Sequence, residues 1–187
     1  MHNYLPKIYH FIEELNINNI NFLNKRIGII YRNYKIKPSN KKLITLRNFC
    51  KISNRKFFIS NDFELAFKLK LDGVYIPSFN KENYNKKYQN LNNFKIIGSA
   101  HNLKEIKIKE KQGASCIFLS PLFYVNKKNR YLDINRFNLL SKLTSLPVIA
   151  LGGISNKNIR KIKMTKSFGF ASISFIKNGN KVPNLML

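Results

Sequence analysis

The chain is poor in acid. Only 9 of its 187 residues are aspartate or glutamate, against 34 lysines and arginines, for a formal net charge of +25. Cysteine is nearly absent as well: Cys50 and Cys116 stand apart, in no Cys-x-x-Cys pair and in no Cys/His cluster. This excludes a disulfide framework and a thiolate metal site, and predicts two reduced, buried thiols. No apolar run is long enough to span a bilayer, and the opening stretch MHNYLPKIYHFIEEL is interrupted by Lys7, His10, Glu13 and Glu14 where a secretory segment would be smooth. A cytoplasmic protein with no membrane partner is the expectation. Proline-rich linkers, internal repeats and low-complexity tails are missing too, so nothing divides a length that suits a single domain, 1–187.

What the chain has in excess is cation. Such a charge ordinarily points to nucleic acid, an anionic membrane or an acidic ligand. Here the lysines run from Lys7 to Lys181 among abundant asparagine, isoleucine and phenylalanine, a mixture that fits a biased coding sequence. A diffuse, solvated basic surface follows without a polyanion, and nucleic-acid binding ranks third among the readings.

Short apolar runs recur at intervals of roughly 20 to 25 residues, the length of a βα unit. They are IYHFI from Ile8, IGIIYR from Ile27, KFFIS from Lys56, GVYIP from Gly73, KIIGSA from Lys95, SCIFLSP from Ser115, PVIAL from Pro147 and FASISFI from Phe170. Helical patterns lie between them. SNKKLITLRNFC offers Ser39 or Asn40 as N-cap with Leu43, Leu46 and Cys50 on one face; NDFELAFKLKL, NLKEIKIKEKQG, DINRFNLLSKL and SNKNIRKIKMTKSFG follow suit. Strands alternating with helices need a parallel sheet. The predicted fold is α/β, a compact (β/α)8 TIM barrel, although an open doubly wound sheet would alternate similarly. NINNINFLNK leaves room for a short first helix at most and KNGNKVPNLML has little helical character, so the first and last helices are reduced.

A βα barrel keeps its chemistry at the C-terminal ends of its strands. The residues predicted there include Arg32, Asn61, Asp62, Ser78, Asn80, Ser99, His101, Lys127, Lys128, Gly152, Gly153 and Ser174, the last placed on the final strand. Cations, backbone-exposing glycines, hydroxyls and a rare carboxylate suit phosphate with Mg2+. The Gly152-Gly153 turn, between a smooth strand and a Ser-Asn helix start, has the form of a phosphate-binding corner.

The segments ISND (from Ile59), DGVYIP (Asp72), IIGSAH (Ile96), SPLF followed by KK (Ser120 to Lys128), PVIALGGIS (Pro147) and GFASIS (Gly169) resemble, in order and spacing, the thiamine phosphate synthase and thiazole tautomerase family. The resemblance implies a synthase that condenses hydroxymethylpyrimidine pyrophosphate with thiazole phosphate and releases pyrophosphate, with Mg2+ as cofactor. It implies catalytic roles for Arg32, Lys128 and Ser99, substrate contacts from Asn61, His101, Gly152, Gly153, Ile173 and Ser174, and a metal ligand in Asp62. The sequence departs from the family in several places. Pro77-Ser78-Phe79-Asn80 stands for Gly-Gln-x-Asp, so Asn80 fills the second metal-ligand position; Val125 and Lys127 replace threonines; Arg32 is followed by Asn33 and Tyr34 rather than Glu-Lys; and Pro121 replaces the tautomerase histidine. A member that isomerises or only binds a phosphorylated ligand is therefore the alternative. No catalytic Cys or Ser dyad is legible, and the synthase chemistry needs no protein nucleophile.

Overall fold

Alternation along each strand divides the side chains into two populations. The structure, a computed structural model, describes residues 4–82, 93–126 and 130–177. In it, Tyr9 and Phe11 of β1 (Ile8–Ile12), Ile30 of β2 (Ile27–Tyr31), Phe58 of β3 (Phe57–Ser60) and Tyr75 of β4 (Gly73–Ile76) pack into one buried cluster. Ile97 of β5 (Lys95–Ala100), Cys116 and Phe118 of β6 (Cys116–Leu119), Ile149 and Leu151 of β7 (Val148–Leu151) and Ala171 of β8 (Gly169–Ser172) complete it. The residues between them, such as Ile29, Ile59, Ile117 and Phe170, belong to two other clusters shared with the helices. Strands buried on both faces, with one face converging on itself, require a closed sheet. The ladder is closed and parallel throughout, β1 pairing with both β2 and β8.

The helices present the faces their spacing predicts. Leu43, Leu46 and Cys50 of α1 (Asn40–Ile52), Phe63 and Ala66 of α2 (Phe63–Lys68), Ile106 of α3 (Leu103–Lys111) and Phe137 of α4 (Asp133–Ser141) are buried. The reduced first connection is present: a three-residue 3-10 helix, Ile17–Asn19, joins β1 to β2, while α5 begins after β8 and covers Ser174–Lys177 up to the last described residue. The tail beyond it lies outside the described residues. Among the described residues, no helix is long and apolar enough to cross a membrane.

Two local expectations change. The segment after Gly153 forms a 3-10 helix, Ile159–Met164, rather than an α-helix. The Asn158 amide ties Ser155 N–H (2.8 Å) and the Gly153 carbonyl (2.7 Å), tightening the chain where an α-helix would start. The last strand is also shorter than FASISFI. Ser172 Oγ accepts from Phe175 N–H at 3.0 Å, so Ser172 caps α5, and Ser174 is a helix residue rather than a strand residue.

The face opposite the strand C-termini is fastened by one side chain. The buried Arg55 guanidinium donates to four main-chain carbonyls of a single segment: Leu23 (2.8 Å), Asn24 (3.0 Å), Ile27 (3.2 Å) and Ile20 (3.4 Å). Arg55→Ala would strand these acceptors, and is expected to lower unfolding free energy in urea by about 3 kcal/mol. The two thiols behave as the composition predicts. Burial pushes Cys50 and Cys116 up to about 12, from about 9. A raised pKa adds stability that is complete below about pH 9 and is lost as pH climbs toward 12. At pH 8 the native protein should resist alkylation by iodoacetamide, with both cysteines labelled only after denaturation, as mass spectrometry would read.

Candidate active site

The barrel interior is plugged with aromatic rings, and the plug positions the mouth. Phe118 meets Tyr9 edge-on at 4.8 Å and Tyr75 at 5.7 Å, and Phe11 meets Tyr75 at 5.1 Å. Arg32, one residue past β2, points inward by the same alternation, and its guanidinium sits 4.6 Å above the Phe11 ring. It also reaches the Tyr75 hydroxyl, which Ser99 hydrogen-bonds from β5. Burial pushes Tyr75 up to about 12, while the Ser99 bond and the Arg32 charge partly oppose it. Two predicted catalytic residues, Arg32 and Ser99, thus share one buried phenol. Lys128, with Lys127, lies outside the described residues.

The next quarter of the mouth joins Asn61, Asp62 and Asn80. Asn61 follows β3 with φ of 60°, a left-handed conformation that asparagine tolerates, and its Oδ1 accepts from Asn80 Nδ2 at 2.6 Å. Asn80 Oδ1 accepts from Glu82 N–H at 2.9 Å. Asp62 Oδ1 accepts from Leu65 N–H at 2.9 Å and so caps α2. Among the described residues, no three His, Cys, Asp or Glu side chains gather as metal ligands. Asp62 Oδ1 and the Asn80 amide are engaged by the protein, and the single carboxylate left at the predicted Mg2+ position is too few ligands for a cage built by the protein. Nearby, Tyr34 stands at the rim with its hydroxyl 3.2 Å from Ser60 Oγ and its ring edge-on to Phe79 at 5.6 Å.

His101 links three strand ends. Its Nδ1 lies 2.6 Å from the Ser120 carbonyl, which can only accept, so Nδ1 carries the proton; in the neutral ring Nε2 then accepts from Ser78 Oγ at 3.1 Å. Its main-chain N–H donates to Glu105 Oε2 at 2.8 Å, at the start of α3. Ser78 and His101, which no sequence pattern joined, meet here. Their spacing of 23 residues carries no local signal, and only the β4–β5 pairing brings them together. The second feature missed is Lys109 beneath this rim, fully buried, with its ammonium lowered to about 8 by desolvation and only partly restored by Glu105.

On the opposite side, Gly152 and Gly153 adopt φ of 93° and 70°. A Cβ on Gly153 would stand 2.5 Å from the carbonyl oxygens of Phe123 and Tyr124, and one on Gly152 would stand 2.8 Å from Pro121 Cβ. The corner therefore needs glycine both for conformation and for the loop from β6 that lies against it. Its useful product is a set of donors: the N–H groups of Gly152, Gly153 and Ile154 find no acceptor among the described residues. Ile173 and Ser174 add two more such N–H groups at the neighbouring strand end, where Leu151 pairs with Ala171. Beside the corner, a groove of about 770 Å³ runs past Tyr124, Tyr131, Lys157 and Lys161.

A closed βα barrel with open amides after β7 and β8 and a guanidinium across the mouth defines a βα-barrel protein whose strand ends carry hydrogen-bond donors. Comparison narrows the class: residues 26–176 match the family model described as thiamine monophosphate synthase, and the chain belongs to that family. A thiamine-phosphate synthase of Methanococcus vannielii is 30% identical over 67% of this chain and 62% of that protein. One of Pelagibacter ubique is 28% identical over 94% of this chain and 91% of that protein. The match to the Methanococcus protein thus spans less than two thirds of its length. Among solved structures, a thiamine phosphate pyrophosphorylase from Pyrococcus furiosus shares the fold, with a TM-score of 0.70 at 21% identity over 92% of this chain and 87% of that one.

Gly153→Ala should cost about 2 kcal/mol or more in urea unfolding, since strain and the contact with two fixed carbonyls add. Millimolar inorganic phosphate is expected to raise the thermal midpoint of the unaltered protein and to leave that of the variant unchanged, as a thermal-shift assay would read.

Proposed function

We propose that this chain is a thiamine phosphate synthase working by electrostatic and positional catalysis. The observation that carries the reading is the division of the mouth into two anion-receptive halves. Arg32 stands with the Asn61–Asn80 pair on one side, and the open amides of Gly152, Gly153 and Ile154 stand on the other. Two phosphorylated substrates would meet between them.

The hydroxymethylpyrimidine pyrophosphate would place its pyrophosphate toward Arg32, with Asn61 and Lys128 as further donors. The bond between the pyrimidine methylene and the pyrophosphate oxygen breaks, and the electron pair leaves with pyrophosphate. Arg32, held over Phe11 and against Tyr75, stabilises the charge that develops there without having to reorganise. The thiazole phosphate would rest on the Gly152–Gly153 corner with Ile173 and Ser174, and its ring nitrogen would supply the pair that forms the new bond to the methylene carbon. Holding both partners in line supplies much of the rate. His101 and Ser99 hold the floor between the halves. A divalent cation at the pyrophosphate would depend on oxygens of the substrate itself, because Asp62 and Asn80 already serve the protein.

Protein incubated with both substrates should release thiamine phosphate and pyrophosphate in equal amounts, seen by chromatography. Arg32→Ala should lower kcat/KM by about 100-fold or more, a loss of about 3 kcal/mol in transition-state stabilisation. No product, with thiazole phosphate still bound, would leave a family member that only binds or isomerises such a ligand. If Asn80→Asp then raised turnover in the presence of Mg2+, the missing carboxylate would be identified as the limit.

A further inference from the structure

α3 carries a cation that neither the packing nor the reaction described above uses. The stem of Lys109 crosses β5 at Gly98, where a Cβ would stand 2.8 Å from Lys109 Cδ. Its Nζ donates to the main-chain carbonyl of Asn80 at 2.5 Å and to Gln112 Oε1 at 2.9 Å. Gln112, buried as well, gives Nε2 to the carbonyl of Glu82 at 2.6 Å and to that of Asn80 at 3.3 Å. Two side chains from one helix end therefore grip the carbonyls of Asn80 and Glu82, two residues apart in the segment leaving β4.

A buried ammonium is a costly way to fill a core, and methionine would occupy the same space without a charge. What the ammonium adds is direction. It fixes the Asn80 carbonyl from below, while the side chains of the same segment serve the mouth above: Asn80 Nδ2 bonds Asn61, and Ser78 Oγ bonds His101 Nε2. We propose that Lys109 is a positioning residue for the pyrophosphate half of the site, acting with Gln112 through the main chain of Asn80. The assignment rests on reading the Arg32 and Asn61 side as the pyrophosphate half.

Calorimetry with inorganic pyrophosphate and, separately, with thiazole phosphate tests it on the full chain without any need for turnover. Lys109→Met removes a buried charge but leaves the Asn80 carbonyl and Gln112 Oε1 without that donor, so its thermal midpoint is expected to fall by a few degrees while the variant stays folded. It should bind pyrophosphate about tenfold more weakly, while thiazole phosphate affinity stays within about twofold. Gly98→Ala, which pushes the lysine stem aside without removing the cation, should shift the same ligand in the same direction. If Lys109→Met does not fold, Gln112→Leu takes its place, with the same split between ligands expected. Unchanged pyrophosphate affinity in a folded variant overturns the proposal, and so does equal weakening of both ligands, which marks general loosening. Unaltered protein that binds thiazole phosphate but not pyrophosphate removes the reading of the Arg32 half, and with it the role of Lys109.

Discussion

Everything at the mouth depends on how the narrow interior of an eight-stranded barrel is filled. Tyr9, Phe11, Phe58, Tyr75 and Phe118 occupy it, and because they are large they close it completely. A plugged barrel cannot draw a ligand inside. The polar residues past the plug, Arg32 and Ser99 two positions on and His101 four, are raised to a shallow floor, and Arg32 keeps a fixed direction because it lies on the Phe11 ring. The guanidinium then needs no carboxylate to hold it still, which suits a chain with so few.

The scarcity of acid shapes the rest of the site in the same way. Where a carboxylate might have gathered a metal, Asp62 caps a helix and Asn80 bridges to Asn61. The donors at the strand ends are main-chain amides after β7 and β8 and a guanidinium, with lysines along the outer groove, while Glu13 and Glu14 line the pocket after β1. The buried Lys109 fits the same economy, since it satisfies itself on carbonyl and amide oxygens instead of an ion pair.

Much of the fold could be read from the chain before any coordinates. All eight strands lie where the apolar runs lie, and the reduced first helix follows from NINNINFLNK. Errors fell where a single side chain redirected the backbone. Asn158 turned an α-helix into a 3-10 helix, and Ser172 ended β8 early and moved Ser174 into a helix. Hydrophobic period cannot foresee either, because both are hydrogen bonds to main-chain groups in a turn. Within the site, residues next to strand ends were legible since a barrel delivers every strand end to one face. The Ser78–His101 contact and the Lys109–Gln112 grip were not, because each joins side chains whose chain separation says nothing about distance.

What the amino-acid sequence determined by itself was order and polarity: which runs are strands, which residues follow them, and a double glycine where the chain turns after the seventh. These are local properties, set by side-chain period and by backbone freedom at Gly152 and Gly153. The tertiary structure alone decided which polar atoms remain available. Asp62, Asn80 and His101 could each have faced a ligand by position, but folding gave them protein partners, while the amides of the glycine corner have none among the described residues. Whether a donor is spent or open is a property of the closed barrel, since its partner arrives from another strand.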